Sequence, residues 1–272
     1  YGQYRRITGA YECGVLTGKG IAFGGSHLRP EATGFGAMYY AAEVLREKNE
    51  TFEGKTIVLS GYGNVSWGVC LKAKEFGAKV ISISGRDGYI HDAEGINTDE
   101  KMKFMLDMRE IGKTKLEDYA KKFNAKFVPK KKPWSLKADI AFPSACENEI
   151  TLEDAKQLAG NGVKYVFEGA NMPTDAEAME FFKKNGIILG PAKACNAGGV
   201  AVSELEMSQN SERSSWTKEK VDAKLKEIMV NIVKKSREAA EKYGLNRDDL
   251  VAGANIAGFE KVAEAMLAQG IY

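Results

Sequence analysis

A strand, a glycine-rich turn, a helix and a second strand follow one another between Lys55 and Asp87, and this segment restricts the fold more than any other. The apolar run Thr56–Ser60 leads directly into Gly61-Tyr-Gly-Asn-Val-Ser66, after which apolar residues recur at helical spacing. Glycines at this place permit a tight turn and let the backbone approach a diphosphate, which the following helix N-terminus attracts. The segment therefore predicts a dinucleotide-binding unit, although a GxG pair alone can simply turn the chain.

Along the rest of the chain, short β-branched runs alternate with amphipathic stretches, which is typical of a parallel sheet covered by helices. We predict strands at Thr56–Ser60, Lys79–Ser84, Lys126–Val128, Asp139–Phe142, Tyr165–Glu168 and Ile187–Leu189. We predict helices at Pro30–Lys48, Val65–Phe76, Asp99–Glu110, Lys115–Phe123, Leu152–Ala159, Asp175–Lys184 and Thr217–Tyr243. The expected fold class is α/β, a Rossmann-like, doubly wound, mostly parallel sheet with helices on both faces and a helical C-terminal segment.

We expect a single domain with three parts. Residues 1–21 form an interdomain segment, residues 22–200 a Rossmann-like dinucleotide-binding core, and residues 201–272 the C-terminal helices that complete it. In the last part, Thr217 is the expected N-cap of a long helix with one apolar stripe, and Gly244 is its expected stop.

Composition excludes several classes of function. The 39 basic and 37 acidic residues leave a formal net charge of +2, which does not supply the basic surface that nucleic acids require. No apolar run approaches the roughly 20 residues of a membrane span. The four cysteines include no CxxC pair and there are only two histidines, so neither a disulfide framework nor a metal site is indicated. We predict a cytoplasmic protein without a nucleic-acid or membrane partner and without a metal.

The end of the second strand bears on the choice of cofactor. An acidic residue usually follows this strand and accepts hydrogen bonds from the adenosine ribose, but Gly85-Arg86-Asp87-Gly88 stands here. Asp87, slightly later in the sequence, can accept these hydrogen bonds from the ribose. Arg86 can either pair with the extra phosphate of NADP or be an ordinary turn residue. The sequence therefore predicts a site that accepts NAD or NADP.

Four longer motifs identify a family. They are Gly24-Gly-Ser-His-Leu-Arg-Pro-Glu-Ala-Thr-Gly-Phe-Gly36, Glu168-Gly-Ala-Asn-Met-Pro-Thr174, Asn196-Ala-Gly-Gly-Val200 with Ser203, and Gly253-Ala-Asn-Ile-Ala-Gly258. In this order they resemble the cofactor-binding domain of the hexameric glutamate dehydrogenases of bacteria and lower eukaryotes, over nearly the whole chain. The resemblance implies NAD(P)-dependent conversion of glutamate to 2-oxoglutarate and ammonium. It also implies a homo-hexamer that assembles chiefly through another domain.

The same resemblance implies a set of site residues. The expected cofactor contacts are Arg29, Thr33, Ser60, Gly61, Gly63, Asn64, Val65, Gly85, Arg86, Asp87, Ala145, Asn171 and Asn196. Thr33 would bind the nicotinamide amide, although from the residues alone it is also explained as a helix-start residue. Val200 and Ser203 would border the glutamate side chain, with the Ser203 hydroxyl favouring a carboxylate. The paired glycines before Val200 indicate a strained loop that approaches the nicotinamide and the substrate, or else a flexible elbow into the following helix.

The residues that transfer protons are expected elsewhere. In the family, a glycine-rich lysine motif and a proline-led aspartate motif lie in an N-terminal domain, and neither occurs in these 272 residues. We interpret Lys19, which lies between two glycines, as structural. No catalytic residue is therefore expected here, and the chain should bind nucleotide without turnover and can be monomeric, with the Thr217–Tyr243 stripe or the Ile256–Ile271 segment exposed. Two alternatives stay open: a non-catalytic nucleotide-binding module, and a dehydrogenase for another amino acid.

Overall fold

The structure, a computed structural model, describes residues 1–111 and 115–270. The strands within these ranges are β1 (Thr56–Leu59), β2 (Lys79–Val80), β3 (Ser82–Gly85), β4 (Gly88–His91), β5 (Lys126–Pro129), β6 (Ile140–Phe142), β7 (Tyr165–Phe167) and β8 (Ile188–Gly190). The α-helices are α1 (Gly2–Thr8), α2 (Ala32–Arg46), α3 (Asn64–Glu75), α4 (Asp99–Ile111), α5 (Leu116–Phe123), α6 (Leu152–Gly160), α7 (Ala176–Lys184), α8 (Ala192–Cys195), α9 (Gly198–Ser211), α10 (Lys218–Lys242) and α11 (Leu250–Gln269). No described helix has the length and apolar character to cross a membrane.

The central sheet is parallel and has the strand order β2-β1-β6-β7-β8, which confirms the predicted α/β class. β1 and β6 are neighbours in the sheet, yet the chain continues from β1 toward β2 on one side and from β6 toward β7 on the other. The connections that leave these two strands therefore diverge. In open α/β sheets, the crevice at such a point, outside the carboxyl ends of the strands, is where ligands bind.

The prediction of one strand over Lys79–Ser84 is wrong. β2 pairs with β1 for two residues, and the chain then enters β3, which pairs antiparallel with β4, as β4 does with β5. Gly85 and Gly88 face each other across a two-residue hairpin loop. Gly88 has φ +145°, and a Cβ there would lie 2.2 Å from the carbonyl oxygen of Val128, so the hairpin and β5 approach at backbone distance. Lys126–Pro129 therefore belongs to a separate three-stranded antiparallel sheet.

Helix α2 is buried along most of its length and is packed through glycines on two sides. A Cβ on Gly34 would lie 2.3 Å from the carbonyl oxygen of Val65 in α3, and a Cβ on Gly198 would lie 2.2 Å from that of Ala32. The prediction of a loop at Gly198 and Gly199 is therefore wrong, because both glycines lie in the first turn of α9, where backbone must meet backbone. This packing sets the N-termini of α3 and α9 against α2.

Gly34→Ala is expected to lower the free energy of unfolding by about 1–3 kcal/mol, because the added methyl forces α2 and α3 apart. Gly160→Ala is the matched control: Gly160 is also helical, a Cβ there meets nothing within 4 Å, and alanine has the higher helix propensity. Urea unfolding of the two variants and the wild type measures both effects. Equal stability of the two variants would show that α2 and α3 can separate freely.

The two C-terminal helices differ in exposure. Thr217 caps α10 as predicted, accepting a hydrogen bond from the backbone N–H of Lys220 (3.3 Å), and the apolar stripe of this helix is buried. On α11, by contrast, the exposed apolar residues are Phe259, Val262, Met266 and Leu267. Of the two surfaces expected to be uncovered, the terminal segment is thus the exposed one as far as Gly270, and Ile271 lies outside the described residues.

Candidate functional site

A cavity of about 740 Å³ opens at the carboxyl ends of β1, β6 and β7, in the crevice where the chain connections diverge. Seven of the predicted site residues line it: Arg29, Thr33, Val65, Ala145, Asn171, Asn196 and Val200. They come from five separate parts of the chain, which only the strand order and the packing of α2 bring together.

The glycine turn follows β1 at this edge of the sheet, and Val65, which comes next in the chain, lines the cavity. Gly61 has φ +77°, and a Cβ there would meet both the carbonyl oxygen of Ser144 and the hydroxyl of Ser66 at 2.8 Å. The Ser66 hydroxyl donates to the carbonyl oxygen of Ser60 (3.0 Å) and closes the turn. Gly63, in contrast, precedes α3 without a side-chain cap, and a Cβ there meets nothing within 4 Å. A side chain at Gly63 would therefore face open space next to the N-terminus of α3, whose dipole attracts an anion.

Two predicted asparagines in the lining of the cavity form a pair. The side-chain amide of Asn196 donates to Oδ1 of Asn171 (2.8 Å) and to the carbonyl oxygen of Ala170 (3.3 Å). Thr33, in the first turn of α2, also lines the cavity, and a Cβ on Gly199 would be 2.5 Å from its hydroxyl. These amide and hydroxyl groups can recognise a carboxamide by hydrogen bonds.

Arg29 joins the predicted cofactor and substrate residues. Its Nε donates to the hydroxyl of Ser203 (2.9 Å), although 174 positions separate the two residues. Both Arg29 and Val200 line the cavity, and Val200 is 73% exposed. A guanidinium beside a hydroxyl is suited to bind a carboxylate, because its terminal N–H groups match the two carboxylate oxygens.

The predicted adenosine-side residues lie beside the glycine turn. The Ser84 hydroxyl accepts a hydrogen bond from Gly61 N (2.9 Å), and a Cβ on Gly85 would lie 3.1 Å from the Tyr62 ring. Arg86 and Asp87 form the exposed tip of the β3–β4 hairpin. The structure therefore places Gly85–Asp87 next to the turn and outside the lining of the cavity.

Ser60 lies beneath the cavity. It is fully buried, and its hydroxyl donates to the carboxylate of Glu149 (2.9 Å) and accepts from Ser144 N (2.8 Å). Sequence reasoning missed Glu149, and the predicted site residues also leave out the cavity-lining residues Ser144, Cys146, Glu147, Gly169 and Ala170. Most of these directly follow β6 or β7, so the general position of ligands at strand ends was the signal that could have found them.

Lys19 lies in a buried ion pair. Its Nζ is 2.7 Å from Oε1 of Glu206, and the two side chains are 5% and 0% exposed. The other oxygen of Glu206 accepts a hydrogen bond from Gly18 N (2.8 Å). An amine held in this way ties the segment around Gly18 to α9, as a structural lysine would. Within the described residues no group of three or more His, Cys, Asp or Glu side chains could hold a metal ion.

Comparison with known proteins gives a consistent result. The model of the Glutamate/Leucine/Phenylalanine/Valine dehydrogenase family matches residues 24–270. The chain is 54% identical over 272 residues to the NAD-specific glutamate dehydrogenase of Clostridium symbiosum and 45% identical over 271 residues to the NADP-specific enzyme of Haemophilus influenzae. Both alignments cover 100% of this chain and 60% of the relative.

Solved structures of glutamate dehydrogenases also match the fold of this chain. A glutamate dehydrogenase structure with 54% identity superposes with a TM-score of 0.97 over 100% of this chain and 60% of that one. The glutamate dehydrogenase of Plasmodium falciparum gives a TM-score of 0.96 at 47% identity, over 100% of this chain and 58% of that one. The chain thus spans about 60% of the length of the proteins that it matches.

Proposed function

The chain belongs to the Glutamate/Leucine/Phenylalanine/Valine dehydrogenase family, and we propose that it is the cofactor-binding part of an NAD(P)-dependent glutamate dehydrogenase. The reaction would convert L-glutamate, water and NAD(P)⁺ to 2-oxoglutarate, ammonium, NAD(P)H and a proton. The observation that carries the proposal is the cavity at the crevice between β1 and β6. Val65 from the end of the glycine turn, the Asn171–Asn196 pair, and Arg29, which is hydrogen-bonded to Ser203, all contribute to it.

The residues of the crevice fit a dinucleotide. The open space beside Gly63 and the start of α3 would hold the diphosphate. The adenosine would lie toward Gly85–Asp87, and Ala145 would line a ribose. Thr33 and the two asparagines would orient the nicotinamide carboxamide and so select the ring face turned to the substrate. When bound, the nicotinamide accepts the hydride from the α-carbon of the amino acid.

The substrate side rests on Arg29 and Ser203. The guanidinium, held at the hydroxyl by the 2.9 Å hydrogen bond, would receive a carboxylate of the substrate, and Val200 would contact its aliphatic part. Because a carboxylate needs such a partner when it leaves water, this pair favours an acidic amino acid over leucine, phenylalanine or valine. The acidic side chain is the reason to propose glutamate.

We expect the 272-residue chain to bind nucleotide without catalysing the reaction, because the amine of Lys19 is held by Glu206 and the proton-transferring lysine and aspartate are proposed to lie in a further domain. Titration of NADH fluorescence measures binding, and absorbance at the reduced nicotinamide band with saturating glutamate measures turnover. Glutamate-dependent formation of NADH or NADPH by this chain alone would contradict the expectation.

Cofactor choice depends on Arg86 in this proposal. Arg86→Ala is expected to weaken NADPH binding about fivefold and to leave NADH binding unchanged, since an exposed ion pair to a phosphate contributes roughly 1 kcal/mol. The effect should shrink as salt is added, because exposed charges are screened. Equal NADPH affinity of variant and wild type would remove the phosphate role of Arg86.

Assembly and location are also proposals. A homo-hexamer of the longer protein is supported by the family, and the apolar face of α11 offers surface for a contact with a further domain or copy. A cytoplasmic location is supported by the four cysteines, which are all free thiols. Light scattering at several concentrations would show whether the 272-residue chain is monomeric.

A further inference from the structure

A buried carboxylate lies directly beneath the candidate cavity. Glu149 is 6% exposed, and its Oε1 accepts hydrogen bonds from the Ser60 hydroxyl (2.9 Å) and from the backbone N–H groups of Ala145 (3.0 Å) and Cys146 (3.5 Å). Ala145 and Cys146 line the cavity above it. A single oxygen atom, Oε1 of Glu149, thus fixes the backbone of two residues in the cavity wall.

This network continues the pairing of β1 and β6 beyond their last sheet residues. Backbone pairing extends to a hydrogen bond from Ser60 N to the carbonyl oxygen of Phe142 (3.2 Å). Past this point the segments that follow β1 and β6 diverge, and the backbone ladder ends. The Ser60 hydroxyl takes its place: it accepts a hydrogen bond from Ser144 N (2.8 Å) and donates one to Glu149. The width of the crevice at its base therefore depends on side chains.

The backbone of Glu149 is held independently of its carboxylate. The neighbouring Asn148 N donates to the carbonyl oxygen of Met172 (2.9 Å), and Ile150 N donates to that of Pro173 (2.8 Å). Both acceptors lie in the loop that follows β7. The backbone at Glu149 is therefore fixed by its neighbours, and truncation of the Glu149 side chain should leave the backbone conformation unchanged.

The charge of Glu149 is not suited to attract a nucleotide. A carboxylate near a diphosphate repels it, and burial already raises the pKa of Glu149, which the hydrogen bonds from Ala145 and Ser60 oppose. The role of the carboxylate is therefore to position its hydrogen-bond donors, because one carboxylate oxygen is a strong acceptor that can bind several donors at once.

We propose that Glu149 is a positioning residue for the nucleotide: it holds Ser144–Cys146, which follow β6, against Ser60 at the end of β1 and so fixes the crevice that the cofactor enters. This inference rests on the proposed function. It adds that the geometry of the nucleotide site is set from below by a residue that does not contact the ligand. Gln keeps the acceptor oxygen and Ala removes it, so the two substitutions separate position from charge.

The test is a titration of NADH fluorescence with wild type, Glu149→Gln, Glu149→Ala and Asp92→Ala. Asp92 is the matched control, a buried carboxylate that accepts from the Tyr119 hydroxyl (2.8 Å) and pairs with Lys101 (2.7 Å), and that is not among the residues lining the cavity. We expect Glu149→Ala to weaken NADH binding about tenfold, Glu149→Gln to stay within about threefold of wild type, and Asp92→Ala to bind like wild type while unfolding at lower urea concentration.

Three outcomes would overturn the inference while the proposed function stands: wild-type affinity in Glu149→Ala, an equal loss in Asp92→Ala, or a tenfold loss in Glu149→Gln as well. Failure of the wild type to bind NADH would overturn the proposed function and this inference together. If Glu149→Ala does not unfold cooperatively, Ser60→Ala takes its place, because it removes the same link between β1 and Glu149. Wild-type affinity in that variant would equally overturn the inference.

Discussion

Gly63→Ala is expected to weaken NADH binding by about 30- to 150-fold, a loss of roughly 2–3 kcal/mol, while the free energy of unfolding stays within about 1 kcal/mol of wild type. In the structure the φ of Gly63 is −79°, which alanine adopts without strain, and an added Cβ meets no protein atom within 4 Å. The folded chain therefore has room for the methyl group. A diphosphate that approaches the N-terminus of α3 would need that same space.

Gly61→Ala is the matched comparison, because at this position an added methyl group also disturbs the fold. Gly61 has φ +77°, and its added Cβ would lie 2.8 Å from both the Ser144 carbonyl oxygen and the Ser66 hydroxyl. This variant should therefore lose stability as well as nucleotide affinity. Urea unfolding and NADH titration of both variants separate the two roles. Wild-type NADH affinity in a stably folded Gly63→Ala would show that the diphosphate does not approach this turn.

The second large effect concerns stability. Lys19→Met is expected to lower the free energy of unfolding by about 3–5 kcal/mol, because it leaves the fully buried carboxylate of Glu206 without its cation. Adding Glu206→Gln to this variant should recover part of the loss, since it removes the uncompensated charge while keeping an acceptor for Gly18 N. Urea unfolding measures all three proteins.

Lys234→Met serves as the control for removal of a lysine from an ion pair. Lys234 lies 3.8 Å from Glu238, and both side chains are largely exposed, so its loss should change stability by no more than about 0.5 kcal/mol. A Lys19→Met variant as stable as Lys234→Met would contradict the structural interpretation of Lys19. Its amine would then be available for chemistry, as its glycine-flanked position in the sequence superficially suggests.

Local patterns allowed much of the fold to be predicted. The alternation of strand and helix, the turn at Gly61 and the cap at Thr217 each depend on residues within a few positions of one another, so the sequence displays them directly. The hairpin of β3 and β4 was missed because β4, Gly88-Tyr-Ile-His91, carries no apolar run longer than two residues. Its position depends on Gly88 and β5, which meet at backbone distance.

The candidate site was predictable as a set of residues and not as an arrangement. Motifs named Arg29 and Ser203 with different roles, and the structure joins them by a hydrogen bond across 174 positions. The glycine pair before Val200 was expected in a loop, and packing against α2 places it in a helix. Glu149 carried no motif at all, because its importance comes from burial and from the loops that converge on it.

The sequence by itself determined the strand–turn–helix unit, the alternation of elements and the family motifs, because these are properties of consecutive residues. The tertiary structure alone decided that β1 and β6 are neighbours, that Asn171 and Asn196 pair, and that Glu149 reaches Ser60 across 89 positions. The physical reason is that strand order and the close approach of helices at glycines place distant residues at one sheet edge. A nucleotide site of this kind exists only where that edge has been assembled.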